Sequence, residues 1–262
     1  MPKVPNSRTS KELTFEGISR RGDKNKKVRV IQEWLCLHGQ NTGLDGDFGP
    51  ATERALQRFQ DEQALSVDGI VDEATFNALI APMQQALSPI EQGTMTYPEL
   101  VVAYAEQHLA EHPREIGGEN RGPWIRLYMD GRDGPDWLWC AGFATFILKQ
   151  AASTSGNTMP LKPSFSCDIL ATNAQQKGTF VAERALDKSN PPPPGSLFLN
   201  RSKNVPNDWV HTGLVTRFED EVFETIEGNT NDDGSREGYE VCRRFRSYTR
   251  RDFISIAPPV VA

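Results

Sequence analysis

Asp136-Trp-Leu-Trp-Cys-Ala-Gly-Phe-Ala-Thr-Phe-Ile-Leu148 is where the sequence declares itself. Phe143, Phe146 and Ile147 recur at helical spacing, while Asp136, Trp137 and Trp139 precede them as irregular chain. The spacing predicts a buried helix with Cys140 as its first residue. There, free N–H groups and the positive end of the helix dipole surround the sulfur. Both favour thiolate, the state a nucleophilic cysteine needs. A lone cysteine in such a place is more often a small core hydrophobe. Two later stretches shift the balance. His211 opens His-Thr-Gly-Leu-Val215, a short apolar strand pattern, and Glu227-Gly-Asn229 follows Val222-Phe-Glu-Thr-Ile226, a second one. A thiol, an imidazole and a side chain to orient the ring are the parts of a cysteine hydrolase.

The totals set bounds around this. The chain has 262 residues, a net charge of −6 and a pI near 5.4, which gives a nucleic-acid partner no global electrostatic support. No apolar run approaches the roughly 18 residues of a membrane span. Met1-Pro-Lys-Val-Pro-Asn-Ser-Arg-Thr-Ser10 has no apolar core, so the expectation is synthesis in the cytoplasm without a signal peptide. Four cysteines, Cys36, Cys140, Cys167 and Cys242, are too few for a disulfide scaffold, and none lie at Cys-x-x-Cys spacing. No metal site and no cofactor are expected. A Cys167–Cys242 bridge stays open.

Residues 1–22 read as a polar tail ending in a basic cluster. Val28, Ile31, Trp34 and Leu35 mark one face of a helix that Gly39 ends. Asp45-Gly-Asp-Phe-Gly-Pro-Ala-Thr52 is then echoed by Asp68-Gly-Ile-Val-Asp-Glu-Ala-Thr75, 23 residues on. Asp-Gly makes a tight turn, Phe48 or Val71 plugs the core, and Gly49 or Asp72 caps the next helix. Helices over 50–60 and 73–80 complete a three-helix bundle. The pattern Val28, Gln32, Leu35, Gly39, then Asp45-Gly, Phe48-Gly, Thr52, Phe59-Gln60, then Leu65, Asp68-Gly, Thr75, Leu79 resembles the helical peptidoglycan-binding domain of wall hydrolases. The resemblance implies a module over 23–84 whose partner is bacterial peptidoglycan.

A linker follows over 85–96. Thr96-Tyr-Pro-Glu99 is a capping box opening a helix with Leu100, Val101, Tyr104, Ala105 and Leu109 on its apolar side. Residues 117–137 read as a loop suited to a substrate wall, and 154–195 as mostly irregular chain. Strands are expected near 196–199, 209–216, 221–227 and 240–248. Trp139-Cys-Ala-Gly-Phe143, Pro194-Gly-Ser-Leu-Phe198, His211-Thr-Gly-Leu-Val215 and Ile226-Glu-Gly-Asn229, in that order, look like the CHAP branch of papain-like amidases and peptidases. Where that family carries Asp after Pro-Gly, this chain has Ser196. The fold class expected is therefore α+β. It combines a small three-helix bundle with a papain-like domain over 97–258, whose nucleophile helix packs on an antiparallel sheet.

The resemblance implies hydrolysis of a peptidoglycan amide, by an N-acetylmuramoyl-L-alanine amidase or a peptide endopeptidase. Cys140 attacks and His211 protonates the leaving amine. Glu227 and Asn229 share a strand face by alternation. Glu227 is the expected direct orienter of the ring and Asn229 an accessory. The Cys140 N–H supplies half an oxyanion hole, with Asp136 or Trp139 backbone as candidates for the rest. No substrate-binding residue is legible, and His38, His108 and His112 fall outside the motifs. The rival readings are a wall-binding protein with a degenerate hydrolase fold and a small-molecule amidase or amide synthase. The setting implied is a phage lysin freed by lysis, or an antibacterial effector delivered by specialised secretion and met by an immunity protein. Residues 229–240 also have the oxygen spacing of a calcium loop. Asn229 at its first position and strand-like flanks argue against calcium there.

Overall fold

The computed structural model describes residues 9–231 and 238–257. Contacts divide the chain into two compact units, Met1–Leu87 with Arg114–Asp136, and Ser88–Pro113 with Trp137–Ala262. Among the described residues no helix is long and apolar enough to cross a membrane.

The first unit is built on α1 (Lys26–Leu37), α2 (Pro50–Glu62) and α3 (Glu73–Ala86). Its repeat has a physical basis that extends beyond the Asp-Gly turns. Gln32 donates from Nε2 to Asp45 Oδ1 (2.9 Å), the Asp47 carbonyl (3.1 Å) and Thr52 Oγ1 (3.0 Å), while its Oε1 accepts from Gly46 N (2.8 Å). Gln60 does the same one repeat later, with Asp68 Oδ1 (3.0 Å), the Ile70 carbonyl (2.9 Å), Thr75 Oγ1 (3.4 Å) and Gly69 N (2.9 Å). Each buried amide thus satisfies a turn that would otherwise bury unpaired polar groups. Gly46 adopts φ 75°, and a Cβ there would lie 2.9 Å from the Asn25 carbonyl oxygen, so the turn demands glycine.

Three expectations change in this unit. Helix α3 continues through Pro82 to Ala86, because Met83 and Ala86 are buried and offset the backbone bond that proline removes. The end of the polar tail is docked: Ser19 and Val71 exchange backbone hydrogen bonds (3.1 and 2.8 Å). The loop over 117–137 contains α5 (Pro123–Tyr128), and Arg114–Asp136 packs in this unit, whereas the sequence grouped it with the second domain. Trp124 meets Trp34 edge-on at 6.1 Å. Arg126 pairs with Glu12 (2.6 Å), Glu33 (2.7 Å) and Asp133 (3.1 Å).

The second unit holds α4 (Tyr97–Ala110), α6 (Cys140–Ser155), α7 (Cys167–Lys177) and a six-stranded antiparallel sheet. Its strands are β1 (Phe180–Val181), β2 (Leu197–Arg201), β3 (Trp209–Phe218), β4 (Val222–Thr230), β5 (Glu240–Ser247) and β6 (Arg251–Ile254), in the order β1-β6-β2-β3-β4-β5. The mixed α+β class is therefore as the sequence indicates. The Thr96 capping box is formed in full, with Thr96 N donating to Glu99 Oε2 at 2.7 Å. Register places Phe198, Phe223 and Phe253 on one sheet face, in an apolar cluster with Val215 and Tyr248. The other face receives α6, whose residues Cys140 to Leu148 are all buried. Helix α7 lies where irregular chain was expected, and β1 and β6 were also not anticipated.

Candidate active site

Cys140 is the first residue of α6, follows Trp139 at the N-cap position, where no side chain caps the helix, and is 5% exposed. Two glycines bring the strands to it. A Cβ on Gly228 would stand 2.7 Å from Phe143 Cβ and Trp139 Cζ3, so β4 can meet the start of α6 only without a side chain. A Cβ on Gly213 would stand 2.7 Å from Glu227 Cγ and 2.9 Å from Phe198 Cε1, so the space beside His211 is kept for Glu227. The β3–β4 ladder begins at the Leu214–Ile226 pair. The Thr212 N–H lies before that pairing and helps to lower the Cys140 pKa.

His211, on β3, and Glu227, on β4, are both buried, and Nε2 lies 2.8 Å from Glu227 Oε2. The carboxylate is held from three sides. Arg246 reaches Oε1 through Nε (2.7 Å) and Oε2 through Nη2 (2.5 Å), and Thr225 Oγ1 donates to Oε1 (2.6 Å). The structure thus brings Cys140, His211 and Glu227 together. Asn229 is different. It takes left-handed φ (54°), the register slips between Glu227 and Thr230, and its Oδ1 is buried without a hydrogen-bond partner. The slip breaks the alternation that would set it beside Glu227, and it makes no hydrogen bond to the ring.

The charges follow from this geometry. Burial alone would raise the Glu227 pKa, but Arg246 and His211 hold it down at about 2. Burial would lower that of His211, but the Cys140 sulfur and Glu227 raise it to about 9. Cys140 falls well below the ordinary thiol value. The Cys167 thiol contributes most, against burial, followed by His211 and the Thr212 N–H. The sulfur is the strongest influence raising the ring, by its closeness first and its charge second, although Nδ1 has no partner at full hydrogen-bond alignment. Both shifts favour the charged forms, thiolate beside imidazolium, and Arg246 balances Glu227.

Cys167 opens α7, and its Sγ lies 4.0 Å from Cys140 Sγ. None of the four cysteines is in a disulfide, so the Cys167–Cys242 bridge is not formed. Ser196, standing where Asp was expected, is buried and accepts from Ile256 N (3.3 Å). Two of the other three histidines serve the fold: His38 Nε2 meets the Leu79 carbonyl (2.8 Å) and His108 Nε2 meets Gln150 Oε1 (2.7 Å). The loop weighed for calcium includes 232–237, which lie outside the described residues. Sequence reasoning missed Arg246, Thr225 and Cys167. Of these only Thr225 left a signal, two residues before Glu227 on the same strand.

Comparison with known proteins bears on the helical unit. Residues 24–79 match the family described as "Putative peptidoglycan binding domain". The helical module is a peptidoglycan-binding domain. The zinc D-Ala-D-Ala carboxypeptidase of Streptomyces albus G is 36% identical over 90 residues, 33% of this chain and 34% of that protein. The chain thus spans about a third of the length of the curated relative it matches. A peptidoglycan-binding protein from Clostridioides difficile, solved in complex with glutamine hydroxamate, is 40% identical over 24% of this chain and 39% of that one, with a TM-score of 0.24. Within the peptidoglycan-binding domain, Phe48, Phe59 and both Asp-Gly turns are accounted for by the buried core and the two glutamine networks.

Proposed function

We propose that this protein hydrolyses an amide bond in bacterial peptidoglycan through Cys140 and His211, with the helical module holding it to the wall. The supporting observation is the buried array at the start of α6: Cys140 beside His211, and His211 Nε2 fixed 2.8 Å from Glu227. The Cys140 thiolate attacks the amide carbonyl, and the oxyanion forms near the Cys140 N–H at the helix N-terminus. The imidazolium gives its proton to the leaving amine. The neutral ring then takes a proton from water, which attacks the thioester and frees the acid. Glu227 fixes the ring and favours its charged state, and Arg246 keeps Glu227 ionised. On this reading the second unit, Ser88–Pro113 with Trp137–Ala262, is a papain-like domain of the CHAP kind. It acts as an N-acetylmuramoyl-L-alanine amidase or a peptide endopeptidase, released by lysis as in a phage lysin or secreted as an effector with an immunity partner.

The zinc named for the Streptomyces relative is not carried over. Among the described residues no three His, Cys, Asp or Glu side chains gather to hold a metal, and Glu227 is enclosed by Arg246, Thr225 and His211. The deciding experiment is digestion of purified peptidoglycan with mass spectrometry of the products. New free amines, lost in Cys140→Ala, are expected, and their position separates amidase from endopeptidase. Undiminished digestion by Cys140→Ala would refute the mechanism.

A further inference from the structure

Cys167 forms no bond and passes no proton in the hydrolytic steps, yet its thiol is set against the nucleophile. Its Sγ lies 4.0 Å from Cys140 Sγ across 27 residues of sequence, and both residues are buried. Each is the first residue of its helix, α6 and α7, so two helix N-termini point at one pair of sulfurs. The other thiols are placed differently. Cys36 faces the Thr42 carbonyl (3.5 Å) in the first unit, and Cys242 stands opposite Glu227 on β5.

We propose that Cys140 and Cys167 form a reversible disulfide that switches the site off under peroxide and on again under thiol reductants, Cys167 being the resolving thiol. The oxidant is a peroxide. The Cys140 thiolate attacks the peroxide oxygen, the O–O bond breaks, and Cys140 becomes a sulfenic acid as hydroxide leaves. The Cys167 sulfur then attacks Cys140 sulfur, the S–O bond breaks, and water leaves with the Cys167 proton. The two thiols lose two electrons to the peroxide, which is reduced to water and hydroxide. A disulfide needs about 2.05 Å between sulfurs, so the pair closes by about 2 Å from its present contact. A resolving thiol already in contact outruns further oxidation to sulfinic acid. The reverse step is favoured for the reason the thiolate is: helix N-termini and His211 make Cys140 a good leaving group. Loss of wall digestion on oxidation rests on the hydrolase reading above, whereas formation of the bond does not.

The test uses the full chain, reduced and then treated with a slight excess of hydrogen peroxide. Intact mass should fall by two hydrogens, and peptide mapping should find Cys140 linked to Cys167. Wall digestion should drop on the order of tenfold and return with dithiothreitol. Cys167→Ser and Cys167→Ala, each compared with its own reduced rate, should instead gain two oxygens at Cys140 and fail to recover. Sulfinic acid at Cys140 of the wild-type chain with no linked peptide, or a link from Cys167 to Cys242, would overturn the proposal. If reduced wild-type protein digests no wall at all, the hydrolase reading fails while the mass still decides the disulfide.

Discussion

Replacing Glu227 by glutamine removes one charge from the site and keeps its shape. Glutamine Oε1 can still accept from His211 Nε2, so the ring stays oriented, but the imidazolium loses its counter-ion and Arg246 becomes a buried, unpaired cation. Raising His211 from 6.5 to about 9 corresponds to about 3 kcal/mol, shared between Cys140 and Glu227. An equal share gives Glu227 about 1.5 kcal/mol, roughly tenfold in imidazolium occupancy. On the proposed mechanism the alkaline limb of kcat/KM should fall near pH 9 in the wild type, with loss of the His211 proton, and move down by about one pH unit or more in the variant. Stability falls as well. Glu227 is depressed from 4.5 to about 2, so its contribution is present above pH 4.5 and lost as pH falls through about 2. That gap is worth about 3 kcal/mol at neutral pH, and wild type and variant should converge in acid. The assay is the initial rate of dye release from labelled peptidoglycan between pH 5 and 10, alongside urea unfolding. Adding Arg246→Met should restore stability without restoring rate. An alkaline limb left in place, with wild-type rate at pH 8, would refute the reasoning.

Cys140→Ala and His211→Ala should each abolish wall digestion with the fold retained by circular dichroism, and the double variant should be no worse than either alone, because the two act as a unit. Gly228→Ala should cost about 1–3 kcal/mol by overpacking Trp139 and Phe143, and should depress activity by displacing the start of α6; an unchanged melting temperature would count against that close approach. Arg126→Met should destabilise the first unit by about 3 kcal/mol by leaving the buried Glu12 without its cation and Glu33 with Arg29 alone, read as a lowered melting temperature in calorimetry.

Much of this architecture was legible because it is written in local periodicity. The Phe143, Phe146, Ile147 spacing gave α6, alternation gave β3, β4 and β5, and the Asp-Gly repeat gave the bundle. Helix α7 was legible in principle: Ser166 caps it, Gly178 ends it at φ 71°, and Cys167, Leu170, Ala171 and Ala174 are its buried face. The proline- and serine-rich chain before it hid the signal. Helix α5 has six residues and β6 four, too few to show a period. That Arg114–Asp136 packs in the first unit could not be read, since Trp124 and Arg126 find their partners through tertiary contact. Cys140, His211 and Glu227 stood out by order and residue type. Arg246 and Cys167 did not, because a guanidinium or thiol 19 or 27 residues from its partner carries no local pattern.

The separated pieces of the first unit bear on how this protein can be cut and recombined. The chain crosses between its two units at 87–88, 113–114 and 136–137. A protease nick within 88–96 would not release the N-terminal fragment, which stays packed on Arg114–Asp136; the two pieces should co-elute under native conditions and part only in denaturant. Genetic exchange meets the same constraint. A crossover that transplants residues 24–79 alone leaves Trp124 and Arg126 behind, baring the Trp34 surface and leaving Glu33 with Arg29 alone in the recipient. Inheritance of this binding module as a working part therefore requires two non-adjacent segments to travel together, which ties its history to that of the polypeptide threaded between them.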